Sequence, residues 1–225
     1  MAKYNLSPTM LNLFLECPRC FWLHMNQNIR RPRSIFPSLP GGMDVVLKAY
    51  FDRYRLKNQL PPEIAGKVLG SLFPSISILE KWRSWFDTDL RYEVQSLGAT
   101  LSGALDDCLI EKDCYIPLDF KTRGMDFKED PTKYYQVQLD CYCLILEASG
   151  YKTKGISYLV YLWPTEVIEG GLIKFNVEVI KVKTNIKAAK KVFKEAAELL
   201  QLGIPEANPD CQYCNYHEQR MTRNI

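Results

Sequence analysis

The sequence predicts an α/β fold in which a mixed central sheet is flanked by helices. Residues 155–163 are continuously apolar, which is typical of a strand buried on both faces. Residues 102–124 carry two short runs that read as strands around a polar turn at 111–113, which indicates a hairpin. Segments with helical apolar spacing precede and follow these strands, so helices are expected to cover the sheet.

The composition is typical of a globular chain. Its 225 residues are 47% hydrophobic and 24% charged, which suits one domain with a substantial core. No apolar run reaches about 18 residues, so no membrane span is expected. The first residues lack a signal-peptide pattern, and we therefore expect a cytoplasmic protein. The net charge of +3 is too small to establish a nucleic-acid partner by itself.

Helical segments are expected before the first central strand. One begins at Ser7, a good N-cap, with Pro8 in the first helical position, and Pro18 interrupts it. A second covers about 43–57, and residues 63–86 read as one or two more. Trp82, Trp85 and Phe86 are interpreted as packing residues of this last segment, because such an aromatic set is more often core than a base-stacking platform.

The second half alternates strands and helices. A strand begins near Arg91, a helix covers 131–149, a strand covers 172–183, and the last helix runs over about 185–202. The lysines of this last helix are interpreted as a solvated face: Lys187, Lys190, Lys191 and Lys194. The loop of residues 30–33 is read as solvated in preference to phosphate-binding, whereas Arg123 and Lys128 are candidates for contact with a phosphate backbone.

The hairpin of residues 102–124 carries the most informative charges. Alternation places Asp119 and Lys121 on one face of its second strand and Phe120 on the other. Asp106 lies on the partner strand, and a turn at residues 111–113 brings it close to Asp119. Burying an ammonium and a carboxylate costs free energy unless they pair with each other or bind a ligand. The alternative is a surface hairpin with solvated charges.

Two carboxylates beside a lysine can support metal-dependent hydrolysis. Asp106 and Asp119 would hold Mg²⁺ or Mn²⁺, which lowers the pKa of a bound water. Lys121 would orient that water or offset developing negative charge. On the following helix Gln138 and Tyr142 are four residues apart and share a face. Taken alone, Gln138 is better explained as a buried amide that pairs with the backbone, but its position after Asp119-x-Lys121 favours a functional role.

Three spaced motifs, in this order, resemble the PD-(D/E)XK nuclease superfamily: Gly103-x-x-Asp106, Asp119-x-Lys121 and Gln138-x-x-x-Tyr142. The last motif resembles the RecB-like branch, which includes CRISPR-associated RecB-like exonucleases and AddB-type nuclease domains. The resemblance covers about residues 7–217 and implies a restriction-endonuclease-like core. It further implies that the Phe120 carbonyl joins the metal shell and that Gln138 and Tyr142 support the substrate phosphate and the lysine.

The chain departs from this branch near the start of the second helix. Members of the branch often place a histidine of the metal shell there, whereas this sequence has Asp44 and no histidine at that position. Asp44 either substitutes as a ligand or is simply a favourable aspartate in a first helical turn. Glu93 is a further weak candidate, because the family often has an acidic residue in that region.

Eight cysteines in a cytosolic chain need an explanation other than disulfides. Two tight pairs, Cys17-x-x-Cys20 and Cys211-x-x-Cys214, predict a four-thiolate metal site that joins the two ends of the chain. Tetrahedral sulfur suits zinc or an iron–sulfur cluster. The remaining four are interpreted as small core hydrophobes: Cys108, Cys114, Cys141 and Cys143.

The resemblance favours a 4Fe–4S cluster over zinc at these cysteines. Many RecB-like nucleases hold such a cluster with one N-terminal and three C-terminal cysteines. Here Cys17, Cys211 and Cys214 match, but the last cysteine is missing and Arg220 stands about where it would fall. Either Cys20 or His217 would complete the set, and zinc remains the alternative ion.

These patterns predict one domain with three parts and a deoxyribonuclease function. The parts are a helical segment at 7–87, a nuclease core at 90–203, and a cysteine tail at 204–225 that pairs with residues 17–20. The expected substrate is DNA that is single-stranded or has a free end, in repair, recombination or CRISPR-type processing, with protein partners in such a complex. The alternatives are a catalytically inactive nucleic-acid-binding or scaffolding protein and a zinc-stabilised interaction module.

Overall fold

The computed structural model describes residues 3–32, 38–126 and 131–222. The strands in these residues are β1 (Tyr4–Leu6), β2 (Ser71–Leu72), β3 (Arg91–Val94), β4 (Ala99–Ser102), β5 (Asp107–Glu111), β6 (Cys114–Thr122), β7 (Ile156–Ile168) and β8 (Leu172–Lys183). The α-helices are α1 (Pro8–Glu16), α2 (Pro18–Gln27), α3 (Ser38–Arg55), α4 (Ile76–Arg83), α5 (Gln136–Ala148), α6 (Ile186–Leu199) and α7 (Gln212–Thr222).

The strands form two sheets. The larger has the order β2-β5-β6-β7-β8, with β6 and β7 parallel and the other neighbours antiparallel. The smaller has the order β1-β4-β3, in which β1 and β4 run parallel. The mixed α/β fold with flanking helices is therefore confirmed. The separate small sheet was not predicted, because β1 has three residues and too little pattern to detect.

Helices cover both faces of the larger sheet. Alternate residues of β7 belong to different core clusters, since Leu159 packs with residues of α1, α5 and α6, whereas Val160 packs with α3. The prediction that 155–163 is buried on both faces is thus confirmed over the first part of β7. Phe120 lies on the α3 side, where its ring meets Phe51 edge to face. Asp119 therefore faces α5, as the alternation required.

The predicted hairpin is present as β5 and β6. Glu111 pairs with Cys114 across the turn, and Asp107 pairs with Leu118 near the open end. Asp106 lies in a bend one residue before β5, rather than inside the strand as expected. Extending the register by one residue places Asp106 opposite Asp119, so the predicted proximity follows from the pairing all the same.

Several helix boundaries differ from the prediction. Helix α1 starts after Ser7, whose hydroxyl accepts from the Met10 N–H, and α2 begins at Pro18, as expected. Helix α3 starts at Ser38 rather than near 43, because proline in a first helical turn costs no intrahelical hydrogen bond. The cysteine tail, in which no helix was predicted, contains α7.

The prediction that residues 63–86 form one or two helices is largely wrong. Only α4 is helical there, and β2 pairs with β5 just after Gly70. Gly70 has a φ of +76°, and a Cβ on it would lie 2.2 Å from the Ile110 carbonyl oxygen, so only glycine fits. Trp82 is fully buried, as predicted. Trp85 and Phe86 are 71% and 77% exposed, because α4 ends at Arg83 and they do not lie on its buried face.

Two further observations concern the surface. The four lysines predicted to form a solvated face of the last helix are exposed. Among the described residues, no helix is both long and apolar enough to cross a bilayer. Of the predicted core cysteines, Cys108, Cys141 and Cys143 are buried and Cys114 is half-buried.

Candidate active site and cysteine cluster

Asp106 and Asp119 meet at the open end of the β5–β6 hairpin. The Phe120 N–H donates to Asp106 Oδ2 at 3.0 Å, which ties the bend before β5 to the neighbouring strand. Asp119 Oδ2 lies 2.5 Å from the Lys121 ammonium, and the Asp119 carboxylate is almost completely buried. Asp106 and Lys121 are therefore grouped around the buried Asp119, and the alternative of solvated surface charges does not hold for Asp119.

The electrostatics of this pair suit a cation. Burial raises the pKa of Asp119 to about 7, Lys121 opposes the shift, and the nearby Asp106 carboxylate adds to it. Within the described residues, no hydrogen bond of good geometry reaches the buried Asp119 Oδ2, which forms an ion pair with the Lys121 ammonium. Two carboxylates, one with an incompletely satisfied oxygen, are a donor set that fits a hard divalent cation.

Gln138 joins the charged pair to α5. Its Oε1 accepts from the Lys121 ammonium at 3.2 Å, while its Nε2 donates to Asp119 Oδ1 at 3.3 Å and to the Tyr142 hydroxyl at 2.6 Å. The Lys121 ammonium also lies 4.4 Å from the centroid of the Tyr135 ring. The amide thus orients both charged side chains, and Tyr142 orients the amide.

Tyr142 is fixed by close packing. Burial raises the pKa of its phenol well above the ordinary value, and Asp119 and Asp106 add to the shift, so the hydroxyl stays neutral. A Cβ on Gly103 would lie 3.3 Å from the Tyr142 ring and 3.3 Å from Pro8. The glycine of the Gly103-x-x-Asp106 motif therefore allows the chain to pass tightly between α1 and α5.

Asp44 reaches the site through a lysine. Its Oδ2 lies 2.7 Å from the Lys48 ammonium, which in turn lies 2.9 Å from Asp106 Oδ1. In the part of the chain that the structure describes, the four cysteines are the one group of three or more metal-ligating side chains close enough to share an ion. The acidic centre therefore offers two carboxylates, Asp106 and Asp119, with Asp44 in contact with Lys48.

A second buried network supports the bend before β5. Asp107 is fully buried, and both its oxygens accept from Arg55 Nη2, at 2.8 and 2.6 Å. Arg83 bridges to Asp52 and Asp107 and donates from Nε to the Asp106 carbonyl at 2.9 Å. The sequence reasoning missed this network, although charged residues on the otherwise apolar α3 and at the start of β5 were a signal for it.

The remaining candidates lie elsewhere. Glu93 is exposed on β3 in the smaller sheet, paired with Thr100, and makes no hydrogen bond or ion pair to the acidic centre among the described residues. Arg31 of the basic loop lies beside Glu16 and the cysteines rather than in solvent. Arg33 and Lys128 lie outside the described residues. The backbone of Arg123 donates to the Leu162 carbonyl, which extends the pairing of β6 with β7.

The two cysteine pairs come together as predicted. The Cys20 Sγ atom lies 3.6 Å from the Sγ atoms of both Cys211 and Cys214. The Sγ atoms of Cys17 and Cys214 are 3.9 Å apart. All four sulfurs lie within 4.8 Å of one another, and their side chains are buried. Cys20 completes the set, whereas His217 is exposed on α7 and is not a member.

The surroundings of the cluster favour a thiolate at Cys211, whereas burial raises the pKa of Cys20 and Cys214. Burial raises the pKa of Cys211, but the Cys214 N–H and neighbouring thiols lower it further, to about 7. The Arg31 guanidinium donates to Cys211 Sγ at 3.7 Å and adds positive charge beside the sulfurs. Four thiols in contact, one of them ionising near neutral pH, can bind a metal ion and thereby join α2 to α7.

Comparison with known proteins places the chain in a family. No curated protein sequence matches it. A family model, that of the PD-(D/E)XK nuclease superfamily, matches residues 45–219, which is more than half of the chain. The matched range includes Asp106, Asp119, Lys121 and Gln138, the residues whose buried contacts are described above. The chain belongs to the PD-(D/E)XK nuclease superfamily.

Proposed function

We propose that this protein is a Mg²⁺- or Mn²⁺-dependent deoxyribonuclease that hydrolyses phosphodiester bonds. Members of the superfamily are generally metal-dependent nucleases, which makes nucleic acid the expected substrate. The single observation that carries the proposal is the buried contact of Asp119 with Lys121, which Gln138 bridges through both atoms of its amide. A network of this kind costs free energy to bury and is retained where it serves a ligand or a reaction.

Each residue has a distinct role in the proposed reaction. Asp106 and Asp119 would hold the cation, with the Phe120 carbonyl as a further ligand, and the bound ion would supply Lewis acidity and an acidified water. Lys121 positions the attacking water and offsets the negative charge that develops on the phosphate. Gln138 keeps Lys121 oriented, and Tyr142 keeps Gln138 oriented. The resemblance to RecB-like nucleases supports DNA that is single-stranded or has a free end as substrate, in repair, recombination or CRISPR-type processing.

Cleavage of end-labelled single- and double-stranded DNA tests the proposal. With Mn²⁺ or Mg²⁺ the parent protein is expected to cleave, and Lys121→Ala and Asp119→Ala are expected to lose cleavage while remaining folded. The matched control is Lys187→Ala, which removes an exposed lysine of α6. A folded, metal-replete parent that binds DNA without cleaving it would contradict the proposal. That result would favour an inactive nucleic-acid-binding protein, for which Lys48 beside Asp106 is a physical reason.

For the cysteine cluster we propose a single zinc ion with a structural role. Four sulfurs around one tetrahedral zinc, with bonds of about 2.3 Å, lie about 3.8 Å apart. The observed separations of 3.6, 3.6 and 3.9 Å agree with that spacing. An iron–sulfur cubane binds each thiolate to a different iron and holds the sulfurs farther apart. Metal analysis of protein purified without oxygen distinguishes one zinc per chain from about four irons with a brown colour.

A further inference from the structure

A cleft runs from the smaller sheet to Gln138 and Tyr142 of α5. Its volume is about 700 Å³, and one wall is formed by the end of β1 and the start of α1. The segment between α4 and β3 contributes Trp85 and Phe86 to the lining, the first residue of β3 contributes Arg91, and α5 contributes Gln138 and Tyr142. Gln138 also contacts Asp119 and Lys121, so the cleft ends one side chain away from the proposed catalytic group.

The aromatic pair in the lining has no packing role that explains it. Trp85 and Phe86 are 71% and 77% exposed, although their rings contact each other. Trp82, three residues earlier, is fully buried and stacks on Phe73, so the core beneath α4 is complete without the exposed pair. Two adjacent large aromatic side chains in water form an apolar surface, and surfaces of this kind mark binding sites.

The chemistry of the cleft selects a class of ligand. Arg91 is the cationic side chain in its lining, and the acidic residues Asp87 and Asp89 follow the aromatic pair in the sequence. One cation in such surroundings does not make a groove that binds phosphates by charge alone. Flat aromatic rings beside polar groups are instead the arrangement on which unpaired bases stack, because every base has a π-face.

We propose that Trp85 and Phe86 form a stacking site for the bases of single-stranded DNA that enters the catalytic centre along this cleft. The proposal rests on the proposed nuclease function and specifies its substrate. A base of an intact duplex is already stacked on its neighbours and cannot occupy the site without being unstacked. The site therefore predicts a preference for single strands, with Arg91 in position to contact a backbone phosphate or stack on a base.

Binding measurements in a Lys121→Ala background separate stacking from charge. The ligands are an oligothymidylate of about 15 nucleotides, an abasic oligonucleotide of the same length, and a duplex. Replacing Trp85 and Phe86 together by leucine is expected to raise the Kd for oligothymidylate about tenfold or more, and to leave the Kd for the abasic strand unchanged. Trp85→Phe, which keeps a ring, is expected to retain most of the affinity. Tyr216→Leu removes an equally exposed aromatic that does not line the cleft, and serves as control.

The outcomes separate this inference from the proposed function. Unchanged affinity of the double leucine variant for oligothymidylate would overturn the stacking site, even where the parent cleaves and Lys121→Ala does not. An equal loss for the abasic strand would overturn it too, because the pair would then act through folding or charge. Conversely, a base-specific loss in a protein whose parent never cleaves would support the stacking site and refute the nuclease. Melting temperatures of the variants establish that each is folded.

Discussion

The ammonium group of Lys48 lies 2.9 Å from Asp106 Oδ1. Lys48 also pairs with Asp44, and although burial lowers the pKa of this ammonium, Asp106 and Asp44 together raise it above the ordinary value. Lys48 is therefore charged at neutral pH. It lies against a carboxylate that we propose as a ligand of a divalent cation, so the two positive charges compete for Asp106.

Replacing Lys48 by methionine is expected to strengthen Mn²⁺ binding. The change removes the repulsion between the Lys48 ammonium and a cation at Asp106, which is worth several kcal/mol at close range. The Kd for Mn²⁺ should therefore fall by about tenfold or more. Titration calorimetry or electron paramagnetic resonance of free Mn²⁺ measures this constant directly. Lys57→Met, at an exposed position just after α3, is the control. Unchanged or weaker Mn²⁺ binding would mean that Lys48 orders Asp106 rather than competing for it.

Asp119→Asn is expected to stabilise the protein when no divalent ion is added. Because burial raises the pKa of Asp119 from 3.8 to about 7, the folded chain binds more protons at this site than the unfolded chain between these values. The free energy of unfolding of the parent must then fall as pH rises through that window. Asparagine removes this dependence, so the melting temperature of the variant should exceed that of the parent by about 2 °C or more at pH 8.

The pH profile provides the control for that expectation. At pH 4 the folded carboxyl is neutral and the unfolded one is only about half ionised, so most of the advantage of the asparagine variant should disappear there. Asp113→Asn, in the exposed hairpin turn, should match the parent at both pH values. An equal gain at pH 4 and pH 8 would indicate a packing effect and would contradict the assignment of a strained carboxylate.

Tyr142→Phe is expected to slow cleavage less than Lys121→Ala does. The change keeps the ring packed against Gly103 but removes the hydroxyl to which Gln138 Nε2 donates. Gln138 then loses the partner that fixes its amide, and Lys121 is less well oriented. A fall of about 10-fold in the single-turnover rate with little change in the Kd for DNA is expected. A loss as complete as that of Lys121→Ala would make Tyr142 a participant in the chemistry rather than a positioning residue.

Whether a contact in the site could be predicted from the sequence depended on how far apart its two residues lie along the chain. The contact of Asp119 with Lys121 follows from the two-residue period of a strand, and that of Gln138 with Tyr142 from the four-residue period of a helix. The Lys48–Asp106 pair has no such local pattern, because α3 and the bend before β5 are brought together only by the fold. The cysteine pairs were found at long range because Cys-x-x-Cys is a specific spacing for a metal.

Arg55→Met is expected to destabilise the protein strongly. Asp107 is fully buried, and burial raises its pKa against the opposing charges of Arg55 and Arg83. Removing Arg55 leaves a buried carboxylate with Arg83 and the Cys108 N–H as partners, a change that typically costs about 3–5 kcal/mol. Denaturant unfolding measures the loss. Arg53→Met on the same helix, where the arginine is exposed, should cost about 0.5 kcal/mol or less.

A double variant tests whether the charge of Asp107 causes that loss. Arg55→Met combined with Asp107→Leu removes the buried charge together with its partner, and should recover a large part of the stability. If the double variant is as unstable as the sum of the two single changes, the network contributes through shape rather than charge. The Asp106 bend would then depend on the hydrogen bond from Arg83 Nε to the Asp106 carbonyl.

Loss of the cysteine-bound ion is expected to destabilise the chain without abolishing catalysis. The four sulfurs join α2 to α7. Arg19 of α2 also contacts Glu218 and the Pro205 carbonyl, but this exposed ion pair contributes little to stability. Cys214→Ser, or a strong zinc chelator, should therefore lower the free energy of unfolding by several kcal/mol. Cys114→Ser, a half-buried cysteine outside the cluster, is the control and should change it little.

Cleavage measured well below the lowered melting temperature distinguishes a structural ion from a catalytic one. Among the described residues, the cluster cysteines make no hydrogen bond to Asp106, Asp119 or Lys121, so cold activity should persist in Cys214→Ser when Mn²⁺ is supplied. Abolished cleavage in a variant that is still folded would place the cysteine-bound ion in the reaction. Stability equal to that of Cys114→Ser would instead show that the four thiols hold no ion that matters to folding, because a tetrahedral site loses most of its affinity with one ligand removed.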